Sequence, residues 1–113
     1  MTQEEKQLLV KDICNRLPYG VFVEENRNTL DPDPAIYTYD YHPCIDNCKP
    51  YLRPMSSMTE EELYEYQVYI VEEKDEITKF CNMDIFFNSK HLDYRGLIEK
   101  GLALEAPKNM YQI

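Results

Sequence analysis

Leu9, Ile13 and Leu17 recur four residues apart with Leu8 beside them, the spacing that gathers side chains on one face of a helix. Thr2 can cap that helix, with Glu5 at the third helical position to return a bond to the cap. Pro18 lacks the next backbone donor and restricts its predecessor, so the helix should stop at or near Leu17. Residues 19–23 follow as a short β-type run, and Asn26, Asn28, Asp31, Pro32 and Asp33 mark residues 24–33 as a loop. Residues 35–41 have strong strand propensity, with Ile36 and Thr38 on one face and Tyr37, Tyr39 and Tyr41 on the other. Pro43, Pro50 and Pro54 make residues 42–55 irregular, leaving Cys44-Ile45 and Tyr51-Leu52 as short edge pairings.

The clearest local signal is Met58-Thr59-Glu60-Glu61-Glu62-Leu63. Thr59 caps, Glu62 completes a capping box, Met58 staples onto Leu63, and three acids sit at the positive end of the helix dipole. Leu63, Tyr66 and Ile70 share one face while Tyr64, Val68 and Val71 line its neighbour, so both faces should be covered. Residues 64–71 are also rich in Tyr and β-branched side chains, and a strand competes there. The charge run 72–76 reads as a solvated helix end or loop. A short buried helix should start at Met83-Asp84-Ile85-Phe86-Phe87 and end near His91. Asp93 then caps a last turn through Ile98 to Lys100, Leu92 staples to Leu97, and Gly101 is the left-handed stop. Leu102-Ala103-Leu104 is a final strand or packed coil. These elements predict an α+β fold: an N-terminal helix, a small antiparallel sheet or partial barrel, and two or three C-terminal helices.

At 113 residues the chain is one domain long, and folding could bury about two thirds of its extended surface. A 43% hydrophobic and 29% charged composition is globular, and ten of the fourteen aromatic residues are tyrosine. The net charge of −9 repels phosphate backbones and lowers the odds of a nucleic-acid or anionic-membrane binder. The beginning MTQEEKQ lacks the apolar core of a secretory signal, and no run approaches the ~18 apolar residues of a membrane span, so a cytoplasmic protein is expected. In that compartment Cys14, Cys44, Cys48 and Cys81 should be reduced thiols.

Three stretches, MTQEEKQLLVKDICNRLPYGV, KPYLRPMSSMTEEE and HLDYRGLIEKGLALEAP, resemble a family of small uncharacterised proteins of gut Bacteroidales and of their phages and mobile elements. The blocks cover roughly half the chain, in family order. The resemblance implies a bacterial or phage setting and carries no activity. The departures fall between Glu24 and Asn47 and between Tyr64 and Phe80, so Cys44, Cys48 and the tyrosine ladder draw nothing from it.

Candidate chemistry is sparse. His42, Cys44 and Cys48 cluster within seven residues but lack the second pair of ligands that tetrahedral zinc requires, so no metal and no cofactor is expected. Cys81 with His91 and Asp93 is the one nucleophilic set worth naming; three glycines give little material for an oxyanion loop or phosphate cradle. The paired carboxylates suit capping and solubility better than acid–base work. Tyr51-Leu52-Arg53-Pro54 and Asp93-Tyr94-Arg95-Gly96 each set an arginine beside a tyrosine. Either the tyrosine packs while the arginine caps carbonyls or pairs with an acid such as Asp93 or Glu99, or the two form a recognition patch, since both types are enriched at hot spots.

The expected function is therefore a non-enzymatic interaction protein. Its partner-binding candidates are Tyr51, Arg53, Tyr94, Arg95, Glu60 and Glu61, its partner is another protein, and a homodimer through the tyrosine faces is expected near physiological salt. Two competitors stand beside it. One is an acidic decoy that imitates DNA phosphates, although nine of the twenty-one acids, eight in two short runs and Asp84 nearby, are clustered instead of spread over a long face. The other is a small enzyme using Cys81 or His91.

Overall fold

The computed structural model describes residues 1–25, 35–39 and 47–111. Helix α1 spans Gln3–Arg16. The Thr2 hydroxyl accepts from the Glu5 N–H at 3.1 Å and the Glu5 carboxylate accepts from the Thr2 N–H at 2.9 Å, a closed capping box. Pro18 lies in a single 3₁₀ turn, Leu17–Tyr19, and Gly20 turns the chain in the left-handed region at φ 70°. That turn displaces the first strand from the expected 19–23: β1 is Phe22–Glu25.

Strand β2, Ala35–Thr38, pairs antiparallel with β1. Ile36 and Thr38 face solvent, while Tyr37 and Tyr39 are half-buried on the other side, as the alternation requires. Tyr41, Cys44 and Ile45 lie outside the described residues, as does His42. Strand β3, Cys48–Leu52, is the principal correction, because it lies inside the sheet and is no edge pairing. The order is β2-β1-β3-β4, with β1–β3 antiparallel and β3–β4 parallel. Pro50 is tolerated because β4, Leu104–Glu105, pairs only with Tyr51 and Leu52, so the missing N–H falls before the stretch bonded on both sides. The sheet is thus mixed and open, and no barrel forms.

Helix α2, Glu60–Tyr66, starts with the second capping box, Thr59 with Glu62. It widens into a π-type turn, Gln67–Val71, so residues 64–71 are helical and not a strand. Only one face is covered: Ile70 is buried and Tyr66 packs inward, while Leu63, Tyr64, Tyr69 and Val71 are exposed. The expectation that both faces would be covered fails, and the apolar contact of this segment runs through Tyr66 and Ile70 instead of Leu63. Helix α3, Glu76–Ser89, begins seven residues before the expected Met83, because Asp75 at the end of the charge run caps it by accepting from the Thr78 N–H at 2.9 Å.

Beyond α3, the Asp93 carboxylate accepts from the N–H groups of Leu97 (2.8 Å) and Ile98 (3.0 Å). One turn later the Leu102 N–H bonds the Leu97 carbonyl and the Gly101 N–H bonds that of Ile98, a Schellman stop with Gly101 at φ 73°. Leu97 and Leu102 enter the same core, with Leu9 and Ile13 of α1, Val21, Leu52 and Ala103. A second core of Ile70, Phe86, Phe87 and Leu92 holds the α2–α3 arm, with Met58, Tyr66 and Tyr94 against it.

Candidate functional site

The four tyrosines and arginines singled out in the sequence are engaged within the fold. Arg53 follows β3 and is buried. Its guanidinium donates to both oxygens of Glu62 (2.9 and 2.8 Å) and to the carbonyls of Lys90 (3.3 Å) and Ser57 (3.0 Å). Glu62 therefore caps α2 and anchors that helix to the sheet. The Arg53 bonds, aided by the Thr59 N–H, hold its carboxyl at about 2, below the ordinary 4.5. Tyr51 is buried, and its hydroxyl donates to Glu24 at 3.3 Å.

Arg95 donates to Asp12 Oδ1 at 2.7 Å and lies over the Tyr94 ring, which stacks on Phe87 at 4.8 Å. Asp12 is shared with Arg16, a guanidinium with 0% exposure. Arg16 donates to both Asp12 oxygens (2.9 and 3.1 Å) and to the carbonyls of Phe87 and Leu92, 71 and 76 residues away. The arginines do cap carbonyls and pair with acids, but the acids are Glu62 and Asp12, not Asp93 or Glu99. Desolvated charge pairs of this kind join the two cores and leave few donors for a partner. Glu60 and Glu61, by contrast, are exposed at the start of α2.

The possible nucleophilic set is not brought together. Cys81 is exposed on α3, and His91 lies beyond the helix end at Ser89, which is itself about 12 Å of helical rise from Cys81. His91 is buried at φ 56°, and its ring stacks on Tyr111 at 3.9 Å. Its Nε2 lies 3.0 Å from the Tyr19 carbonyl, which can only accept, so Nε2 carries the hydrogen. Nδ1 has no hydrogen-bond partner among the described residues. Burial, reinforced by Arg16, pushes His91 down to about 4 from 6.5, so the ring is neutral. Asp93 is occupied by the turn described above.

A cleft of about 670 Å³ opens between the start of α1 and β3, lined among others by Glu5, Leu9, Glu24, Cys48, Lys49 and Lys100. Two acids face two lysines there, and Glu5 is already committed to its cap. Among the described residues no group of three or more His, Cys, Asp or Glu side chains could hold a metal.

Among the described residues, a further exposed apolar surface lies elsewhere. Ile77, Phe80 and Ile85 of α3 are 76%, 68% and 55% exposed. At 100° per residue they span an arc of about 140° with Cys81 and Asp84; Phe86 lies opposite, and Met83 and Phe87, which also enter the second core, flank the Phe80 edge. Asn82 donates to the Tyr69 carbonyl at 2.9 Å and so ties the preceding turn, with exposed Tyr69 and Val71, to this helix. Phe80 alone leaves roughly 100–170 Å² of aromatic surface in water, and the stripe reaches the few hundred Å² that mark contact surfaces. Sequence reading missed it by starting the helix at Met83. The available signal was Ile77, Phe80 and Ile85 at helical spacing behind Asp75, interleaved with a second apolar set, Met83, Phe86 and Phe87.

No family model, no curated protein and no solved structure matches this chain.

Proposed function

We propose that the chain is a non-enzymatic protein-binding module whose docking surface is the outer face of α3. The observation that carries this reading is the stripe Ile77, Phe80 and Ile85, large apolar side chains turned away from the core on a well-capped helix. Three apolar residues spaced for one face and kept in water cost solubility, a cost offset when a partner covers them. On the sequence resemblance, the setting is the cytoplasm of a bacterium or of a phage-infected cell. No helix among the described residues is long and apolar enough to cross a membrane.

The acidic-decoy reading keeps one supporting observation: nine acids against two lysines over residues 60–89 give that arm −7 of the chain's −9. An apolar stripe amid those acids is chemistry that a phosphate mimic does not need.

The test is an amide chemical-shift titration of the protein with amphipathic helical peptides of either charge. Perturbations centred on residues 76–85 support the docking face. Perturbations confined to the cleft or the sheet, or none with any peptide, refute it.

A further inference from the structure

We infer that the occupant of the α3 face is a basic amphipathic helix of another protein, an inference that rests on the docking reading above. Phe80 and Ile85 sit inside a regular helix whose N–H and C=O groups are used internally, and Ile77 lies in its first turn with only its N–H outside that ladder, so no strand can be added here and contact must run through side chains. From Ile77 to Ile85 the stripe is about 12 Å long, a bit more than two helical turns, and suits apolar anchors at i, i+3 or i+4, and i+7 or i+8 on a facing helix.

Exposed Glu72 and Glu76 precede or open α3, Asp84 lies within the stripe, and Glu60 and Glu61 open the neighbouring α2. Of the arm's cations, Lys74 stands exposed in the charge run and Lys79 is half-buried on α3. Lys90, just past the helix end, is paired with Glu65 at 3.4 Å. Arg53 and Lys90, outside residues 60–89, pair with Glu62 and Glu65, and the net −5 that remains attracts Lys and Arg flanking an apolar ridge and steers their approach. The same field repels nucleic acid and anionic membrane surfaces. It also disfavours a second copy of this chain, since pairing two such faces sets −5 against −5.

Three synthetic helical peptides of about 18 residues serve as probes: Lys/Leu with an apolar stripe, Glu/Leu with the same stripe, and Lys/Ser with the charge but no stripe. Fluorescence anisotropy should rank Lys/Leu about tenfold or more tighter than either other peptide. Raising salt from about 0.05 to 0.5 M should weaken it about tenfold, as screening requires. Ile77→Ser with Phe80→Ser should weaken it by a similar factor, while Ile36→Ser on the distant β2 leaves it unchanged. If Glu/Leu binds as tightly as Lys/Leu at the same residues, the inferred partner chemistry is wrong and the docking face stands. If Lys/Ser binds as tightly as Lys/Leu, the apolar stripe is idle and both readings fall in favour of the decoy. Sedimentation of the protein alone as a dimer that the serine variant abolishes would assign the face to a second copy and overturn the inference.

Discussion

Glu62→Gln isolates the contact that fastens the helical arm to the sheet. Oε1 accepts from Arg53 and from the Thr59 N–H, both at 2.8 Å, and Oε2 accepts from Arg53 at 2.9 Å. Glutamine keeps one acceptor, turns a donor toward the guanidinium, and leaves a buried cation without its counter-charge. The carboxyl falls from 4.5 to about 2 on folding, and at 1.36 kcal/mol per unit this corresponds to about 3 kcal/mol, nearer 2 after solvent screening. A depressed carboxyl contributes fully above its unfolded value of 4.5, and the contribution is lost as pH falls through the folded value of about 2. In urea melts the wild type should therefore exceed Glu62→Gln by ~2–3 kcal/mol from pH 7 to 5, with the gap reduced by about half at pH 3. Thr59→Ala, which removes the cap and leaves Arg53 paired, should cost about 0.5–2 kcal/mol without that pH dependence. A Glu62→Gln variant within ~0.5 kcal/mol of wild type at pH 7, or a gap unchanged at pH 3, would refute the reasoning.

Three further outcomes follow from other buried contacts. His91, neutral in the fold, contributes fully above pH 6.5 and loses that contribution as pH falls through about 4; His91→Asn, which tolerates the left-handed backbone, should flatten the fall in urea midpoint between pH 7 and 4, and an unaltered slope would count against it. The Tyr111 hydroxyl donates to the Tyr51 carbonyl at 2.6 Å and accepts from the Phe22 N–H at 2.9 Å, bridging β3 and β1 one step beyond their last paired residues. Tyr111→Phe should cost about 1–3 kcal/mol in a denaturant melt, and a neutral result would mean that water replaces the bridge. Asp12→Asn leaves two guanidinium groups facing each other and should cost about 3–5 kcal/mol by the same assay; a loss under ~1 kcal/mol would show that the network is solvated.

What could be read from the sequence was local. Thr2 with Glu5, Thr59 with Glu62, and Gly101 after Ile98 are spaced for bonds within one turn, so residue type and spacing suffice. The interior position of β3 was hidden because Pro50 argues for an edge until the short reach of β4 is known. The burial of Arg16 was hidden too, since two of its acceptors are carbonyls more than seventy residues away. For the candidate site, the acidic run masked the cap at Asp75, and moving the helix start back to it is what places Ile77 and Phe80 on a helix face. The Tyr–Arg pairs were legible as clusters, but their partners, Glu62 and Asp12, depend on tertiary packing that no single-sequence spacing records.

The most direct test of the docking face is the triple variant Ile77→Ser, Phe80→Ser, Ile85→Ser, melted in urea and titrated with the Lys/Leu peptide on one sample. These side chains face water and serine has similar helix propensity, so the account predicts stability within about 1 kcal/mol of wild type together with at least about tenfold weaker binding. A loss of several kcal/mol would show that the stripe is covered within the fold, and undiminished binding would place the docking surface elsewhere; either result contradicts the account.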